Sequence, residues 1–194
     1  MTIRAGEEWG RPAPDGIIAT PAIGDAELAR RVAAGEHGPF TLAGGDLHRS
    51  LGSPRSNHTI VSIDALAVRL DDRPEAVAVA HVIARRGWWR GSLAAVCNVD
   101  YVGAWNVAPR AHPNDGRADV IEVAATMTAR ARWQAWRRLP QGTHVPHPDI
   151  ATRSVRTVEL RWHAPMSVWL DGIDSGRAHT MTVTVRPDAF ELLI

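Results

Sequence analysis

Lysine is absent from this chain of 194 residues, and all 22 basic residues are arginine. This absence excludes Schiff-base catalysis by lysine and the lysine of a phosphate-binding loop. Cysteine occurs once, at Cys97, so an internal disulfide and a cysteine-rich metal site are excluded as well. The apolar residues around Cys97 predict a buried position in a strand.

Long apolar runs are also missing. No stretch approaches the roughly 20 apolar residues that span a bilayer, and residues 1–4 lead into polar and acidic positions rather than the apolar core of a signal peptide. We therefore expect a cytoplasmic protein with no transmembrane segment. A net charge of +1 lacks the clustered basic excess typical of nucleic-acid binding, so nucleic acid is not an expected partner.

The first part of the chain shows the pattern of a β-α-β unit. A strand is predicted over residues 16–20, a helix over residues 26–34 with Asp25 as its cap, and a second strand at Phe40–Leu42. A complete nucleotide-binding α/β domain needs several β-α repeats of roughly 30 residues each. We therefore predict that residues 1–57 form an abbreviated α/β part.

Two glycines follow the second predicted strand. Gly44 and Gly45 precede a short helix that is expected to begin at Asp46. A strand, two glycines and a helix start resemble a phosphate cradle, because free backbone N–H groups and the helix dipole favour an anion. Asp46 also suits the N-cap position, where its charge repels phosphate. Two interpretations stay open: a structural cap, and a ligand-binding segment made of Gly44, Gly45 and Asp46.

From residue 58 onward the sequence is rich in short strand patterns. Thr59–Leu70 carries regularly spaced apolar residues, as in a strand with a buried face. Trp105 and Trp169 are expected in the core. These patterns predict an α+β protein with a β-rich sandwich over residues 58–194 and one inserted helix. Further strands are predicted at residues 76–84, 93–99, 119–124, 155–162, 166–170, 180–185 and 190–194.

The inserted helix is predicted over residues 124–139, with Thr126 or Thr128 as its cap. Its buried stripe is expected to consist of three residues at helical spacing: Ala129, Trp133 and Trp136. Its arginines are expected in solvent on the other faces: Arg130, Arg132, Arg137 and Arg138.

Residues 85–91 are predicted to form a hairpin tip, in which Trp88 and Trp89 stand between Arg86 and Arg90. In one interpretation the indole rings fold back onto the sheet or cover a homodimer contact, and the arginines are solvated. In the other, these four residues bind a ligand or make a peripheral membrane contact. Indole rings favour the membrane–water boundary, and arginine pairs with phosphate.

Three motifs resemble the second domain of bacterial diacylglycerol-kinase-like (YegS-type) lipid kinases. Residues 103–120 run from a glycine into Ala-Pro, a Pro-Asn-Asp-Gly turn and an Asp-Val strand. Residues 142–148 read Gly-Thr-His-Val-Pro-His-Pro, and residues 168–172 read Val-Trp-Leu-Asp-Gly. The motifs follow the family's order over roughly the last 135 residues. The resemblance implies the sandwich fold of that second domain.

The resemblance also implies a magnesium site. In the family, the turn binds magnesium through its aspartate side chain and flanking backbone carbonyls, and these positions match Asp115, His112 and Arg117. Magnesium prefers such oxygen ligands. An aspartate before a glycine is also a common turn residue, so a purely structural role for Asp115 stays open.

Asp171 is the candidate catalytic residue that the resemblance implies. The matching aspartate of the family's Leu-Asp-Gly-Glu motif helps to deprotonate the lipid hydroxyl, which is the work of a general base. Here Ile173 replaces the glutamate and removes a charge. A simple hairpin turn at Asp171 is the other interpretation.

The nucleotide site of the family is incomplete in this sequence. Residues 42–54 resemble the family's Gly-rich segment with its Thr-Gly-Asn core missing, and the Gly-Gly-Asp-Gly-Thr signature is absent. ATP is therefore not an expected cofactor. We expect a degenerate lipid kinase, a pseudokinase, that binds a lipid, a phosphorylated small molecule or a protein partner. An active lipid kinase with a rebuilt or dimer-shared nucleotide site, and a homo-oligomeric scaffold, are the alternatives.

Overall fold

The structure of the protein, a computed structural model, describes residues 9–52 and 58–194. Its helices are α1 (Asp25–Ala33), α2 (Asp46–Ser50) and α3 (Ala129–Arg138), and a short 3-10 turn at Leu139–Gln141 follows α3. The strands in chain order are β1 (Arg11–Pro12), β2 (Thr20–Ala22), β3 (Phe40–Leu42), β4 (Thr59–Leu70), β5 (Ala76–Ala78), β6 (His81–Arg85), β7 (Leu93–Cys97), β8 (Tyr101–Val102), β9 (Trp105–Asn106), β10 (Ala118–Val123), β11 (Ile150–Val155), β12 (Thr157–Leu170) and β13 (Ile173–Leu193).

Eleven of these strands form one sheet in the described part of the chain. Its main path runs β1, β4, β13, β12, β6, β7, β10 and β11, and every neighbouring pair on this path is antiparallel. The main core packs on it, with Leu66, Val96 and Met181 among its fully buried side chains. The prediction of a β-rich, sandwich-like α+β fold with one inserted helix in its second part is confirmed.

The first part of the chain forms one β-α-β unit, as predicted. β2 and β3 are parallel, and β3 joins the large sheet beside β13, where Phe40 pairs with Leu192. Leu28 of α1 and Leu47 of α2 share one buried cluster with Phe190 of β13. Sheet and core are therefore continuous between the two parts, while the predicted boundary after residue 57 stays a prediction.

Two details of this unit differ from the prediction. The first strand lies at Thr20–Ala22 rather than at residues 16–20, because that segment pairs with β3. The N-caps of both helices are glycines, Gly24 and Gly45, and not the predicted Asp25 and Asp46.

The strand predicted at residues 76–84 is interrupted between β5 and β6. The backbone N–H groups of Val79 and Ala80 bond to the carboxylate of Asp171, which takes the place of a neighbouring strand. Conversely, four strands predicted after residue 154 are two long ones, β12 and β13, which continue through irregularities in their pairing.

The predicted buried stripe of α3 is wrong. Thr128 is the N-cap, as predicted, and its hydroxyl accepts the N–H of Ala131 at 3.2 Å. Ala129, Trp133 and Trp136 are exposed, however, and the buried residue of the helix is Arg132. The helix can bury this arginine because backbone carbonyl groups receive its guanidinium N–H groups.

Candidate functional site

A cavity of about 320 Å³ lies between the 85–91 tip, α3 and one face of the sheet. Trp88, Trp89 and Trp136 line it while remaining 46%, 49% and 45% exposed, so they form its rim toward solvent. The deeper walls are apolar side chains, among them Ile83, Ala95, Val107, Ile121, Met127 and Ile150. The cavity therefore offers an apolar interior behind an aromatic mouth.

The inner wall comes from strands that are apolar on both faces. On β7, Ala94 and Val96 belong to the main core, whereas Ala95 and Cys97 belong to the cluster beneath the cavity. Such two-sided burial gives a nearly continuous apolar run in the sequence. The apolar run at residues 93–97 is thus a sequence feature that could have predicted a second apolar surface here.

Arg132 fixes the tip to α3. Its Nη1 donates to the carbonyl of Trp88 at 3.3 Å, and its Nη2 donates to the carbonyl of Gly91. Other N–H groups of the same guanidinium reach Met127 and Ala124, at 3.2 and 2.9 Å. Hydrogen bonds to a charged donor are stronger than neutral ones, so one buried side chain holds the cavity mouth together.

The tryptophans of the mouth also contact one another. The ring centroids of Trp89 and Trp136 are 6.5 Å apart, and those of Trp88 and Trp105 are 6.0 Å apart, both in edge-to-face geometry. Arg85 lies 4.2 Å from the ring centroids of both Trp88 and Trp169. The prediction that Trp105 and Trp169 are core residues is wrong, since both are partly exposed.

His144 is the other titratable residue in the cavity wall besides Arg132. Burial lowers the pKa of His144, and the backbone carbonyl of Val107 only partly opposes this shift. The imidazole is therefore neutral near pH 7. Among the described residues of the wall, Arg132 is then the one charged side chain, and its guanidinium N–H groups bond to backbone carbonyls, which leaves the rest of the wall uncharged and suited to an apolar guest.

The predicted phosphate cradle is occupied by a side chain. The carboxylate of Asp25 accepts the N–H groups of Asp46 at 2.5 Å and Leu47 at 3.3 Å. A Cβ on Gly45 would lie 2.6 Å from Cγ of Asp25, so glycine is required for this close approach. Burial raises the pKa of Asp25 to about 6, and the charge of Asp171 adds to the effect.

Asp46 points away from this helix start. Its carboxylate contacts Nε2 of His81 at 2.8 Å and accepts the N–H of Gly103 at 2.7 Å. Burial by itself lowers the pKa of His81. The hydrogen bond to Asp46 and the charges of Asp171 and Asp46 outweigh this effect, so the pKa of His81 is raised above its ordinary value. The predicted residues Gly44, Gly45 and Asp46 thus lie in an acidic cluster with a histidine.

Asp171 belongs to the same cluster. Its carboxylate accepts three backbone N–H groups, from Val79 at 2.8 Å and from Ala80 and His81 at 2.9 Å. Burial raises the pKa of Asp171, and these hydrogen bonds oppose the shift. His81 begins β6 and Arg85 ends it, so this cluster and the tip residues lie roughly 13 Å apart along one strand.

The predicted magnesium residues lie in a third place. Asp115 is half-buried on its turn, and its Oδ1 accepts the N–H of Arg117 at 2.9 Å. Burial raises the pKa of Asp115. Among residues 9–52 and 58–194, no group of three His, Cys, Asp or Glu side chains could hold a metal ion. Magnesium there would depend on one carboxylate and the carbonyls of His112 and Arg117, and it stays a prediction.

Sequence reasoning missed Asp64, which organises this turn from within β4. Its carboxylate accepts the N–H groups of Gly116 at 2.7 Å and Asp188 at 2.9 Å, and burial raises its pKa to about 6. Asp64 could have been identified from the sequence, because it is a charged residue within the apolar pattern of a predicted strand.

Residues 59–194 match the family described as the YegS C-terminal NAD kinase beta sandwich-like domain. The chain belongs to this YegS family. The family resemblance predicted from the three motifs is therefore confirmed, and this YegS-type chain is diacylglycerol-kinase-like by domain and fold.

Solved structures resemble the YegS-type chain at low sequence identity. One protein of Bacillus anthracis str. Sterne, described provisionally as a diacylglycerol kinase, gives a TM-score of 0.66 at 13% identity, over 89% of this chain and 76% of that one. A second structure so described gives 0.60 at 13% identity, over 79% and 69%. At such identities the likeness shows the fold alone. No curated protein matches the chain.

Among the residues that the structure describes, no helix of this YegS-type chain combines the length and apolar composition needed to cross a membrane.

Proposed function

We propose that this YegS-type protein binds the acyl chain of a lipid in the tryptophan-rimmed cavity and does not phosphorylate it. The cavity carries the proposal, because its walls are apolar and its mouth is aromatic. Ligand pockets are typically on the order of 300–1,000 Å³. At about 320 Å³ this cavity suits one acyl chain rather than a complete two-chain lipid.

The loss of phosphotransfer is supported at the start of α2. Phosphoryl transfer depends on positioning the phosphates and neutralising their charge. Here a phosphate would meet the carboxylate of Asp25, which already accepts the backbone N–H groups of Asp46 and Leu47. Ile173, which stands in place of the family's glutamate, is exposed.

The contacts of Asp171 support a structural role. A carboxylate offers about four lone-pair sites, and three backbone N–H groups already bond to this one. A general base needs an oxygen that can take a proton from the substrate. We therefore infer that Asp171 chiefly holds the gap between β5 and β6.

The proposal is tested with a fatty acid that carries a fluorescent label on its chain, titrated against the whole protein. Ala135 lines the cavity from α3, so Ala135→Trp should fill the cavity and weaken probe binding by at least about tenfold. Ala129→Trp is the matched control, because Ala129 is exposed on the same helix, and it should bind like the wild type.

Nucleotide is tested in parallel by thermal shift with ATP and magnesium, for which we expect no change in melting temperature. Failure of the wild type to bind the probe, or equal binding by the wild type and Ala135→Trp, would contradict acyl-chain binding. Stabilisation by ATP with magnesium, together with ATP consumption, would favour a working kinase instead.

A further inference from the structure

We propose that the exposed side of the 85–91 tip and of α3 docks the protein onto a bilayer that contains anionic lipids, with the cavity mouth toward the membrane. We call this surface the arginine-tryptophan face. It consists of the exposed arginines and tryptophans of the tip and α3: Arg86, Trp88, Trp89, Arg90, Arg130, Trp133, Trp136, Arg137 and Arg138. The inference goes beyond acyl-chain binding, because it names the surface from which the lipid would come. Only the orientation of the mouth rests on the proposed function.

The charge of the chain is strongly asymmetric. Residues 83–93 and 125–148 contain seven of the 22 arginines and no aspartate or glutamate. The rest of the chain then has 15 arginines against 21 acidic residues, a net charge of −6. The net charge of +1 is therefore the sum of a basic surface, which attracts anions, and an acidic remainder of the chain, which repels them.

The tip and α3, which carry the face, lie side by side. Arg132 bonds from α3 to the carbonyls of Trp88 and Gly91, and Trp136 contacts Trp89. Five arginine side chains of the face are exposed: Arg86, Arg90, Arg130, Arg137 and Arg138. These arginines therefore stand on two segments that contact each other, which favours one extended partner surface over separate partners.

Exposed tryptophans accompany these arginines. Of the seven large apolar side chains that are exposed among the described residues, four are Trp88, Trp89, Trp133 and Trp136. Trp133 does not line the cavity, and helical spacing places it between Arg130 and Arg137 on the outer side of α3. The guanidinium of Arg137 lies 5.0 Å from the centroid of the Trp133 ring.

This combination fits a membrane interface. Indole rings are enriched at the level of the lipid headgroups, and arginine near an anionic leaflet contributes attraction that weakens with salt. Helices that lie in the interface combine arginine or lysine with tryptophan, phenylalanine or leucine, and α3 carries three exposed arginines and two exposed tryptophans. Because the cavity opens between the same tryptophans, an acyl chain could enter it without crossing water.

The test is sedimentation of the whole protein with vesicles of phosphatidylcholine mixed with phosphatidylglycerol, and with vesicles of phosphatidylcholine alone. We expect binding to the anionic vesicles, weakened by salt. The triple variant Arg130→Gln, Arg137→Gln, Arg138→Gln should lose about 100-fold in vesicle affinity. Trp133→Ala should also weaken binding.

A matched triple variant controls for net charge. Arg30→Gln, Arg69→Gln and Arg156→Gln change three exposed arginines outside the face, and this variant should bind vesicles like the wild type. Equal losses of vesicle affinity in the two triple variants would overturn the proposal. A wild type that binds both kinds of vesicle equally, or binds neither, would also overturn it. A wild type that self-associates without lipid, and separates in the first triple variant, would likewise overturn it in favour of a dimer contact.

Two readouts separate this proposal from the proposed function. The first triple variant should still bind the fluorescent fatty acid in solution, and Ala135→Trp should still bind vesicles. Vesicle binding without binding of the fatty acid would support docking by the arginine-tryptophan face and contradict acyl-chain binding. Binding of the fatty acid without vesicle binding would contradict docking by this face and leave acyl-chain binding supported.

Discussion

Oδ2 of Asp25 accepts the backbone N–H of Asp46 at 2.5 Å, and so a carboxylate from α1 fills the N-terminus of α2. A helix N-terminus attracts anions through its unpaired N–H groups and its dipole. In this protein the anion at the N-terminus of α2 is the carboxylate of Asp25. This side chain occupies the position where Gly44 and Gly45 suggest a bound phosphate.

This arrangement predicts different outcomes at two adjacent glycines. Gly45 has φ +103° and lies against Asp25, whereas Gly44 has open space around it apart from an ordinary contact with Ile23. Gly45→Ala should reduce the free energy of unfolding by about 2 kcal/mol or more, through backbone strain and displacement of the carboxylate. Gly44→Ala should change it by less than about 0.5 kcal/mol. Urea unfolding of both variants measures the difference, and equal effects would contradict the packing described here.

Asp25 also predicts a pH dependence. Its pKa is about 6 in the folded protein against an ordinary value of 3.8, so between these values the folded state holds a proton that the unfolded chain has released. Its contribution to stability therefore falls as the pH rises from about 4 to about 6. Asp25→Asn removes this titration.

The measurement is urea unfolding of the wild type and Asp25→Asn across that range. The stability of the wild type relative to the variant should decline as the pH rises. A flat or rising difference would show that the carboxylate of Asp25 is not held at a raised pKa.

Asp171→Ala should be strongly destabilising. The substitution leaves the N–H groups of Val79, Ala80 and His81 without their acceptor, and each unsatisfied buried group costs roughly 1–3 kcal/mol. We expect a loss of about 3 kcal/mol or more in the free energy of unfolding. Asp174→Ala is the matched control on the same hairpin, because Asp174 is exposed and accepts from Gly176 alone among the described contacts. A stable Asp171→Ala protein would return Asp171 to the list of catalytic candidates.

Arg132→Met should loosen the cavity mouth. The change removes charge-assisted hydrogen bonds to Trp88, Gly91, Met127 and Ala124 and should cost about 2–3 kcal/mol. Binding of the fluorescent fatty acid should weaken as well, since the tip is then less well held. Arg130→Met, at an exposed position of the same helix, should alter stability by no more than about 0.5 kcal/mol. Equal stability of the two variants would contradict a fixed tip.

Local patterns predicted much of the fold. Thr59–Leu70 was identifiable as a strand because its apolar residues are regularly spaced, and Phe40–Leu42 because it is a short apolar segment before two glycines. Thr128 was one of two candidate caps and is the cap in the structure. These features depend on neighbours in the sequence, which is where pattern rules are informative.

The site was less predictable because its contacts are long-range. Arg132 has the sequence appearance of a surface arginine, and its carbonyl partners at Trp88 and Gly91 lie about 40 residues away. The partners of Asp25 and Asp171 are likewise distant in sequence. The tip residues were identified from composition, but the cavity beneath them arises only when β7, β10 and α3 pack together.

The most direct measurement follows two labels in one sample: the protein with magnesium, ATP labelled on its γ-phosphate, and a diacylglycerol labelled on its acyl chain. We predict that the lipid label elutes with the wild type, that it elutes free with Ala135→Trp, and that no phosphate reaches the lipid. Phosphorylated lipid, or a wild type that elutes without lipid, would contradict acyl-chain binding by a kinase-like fold that has lost its chemistry.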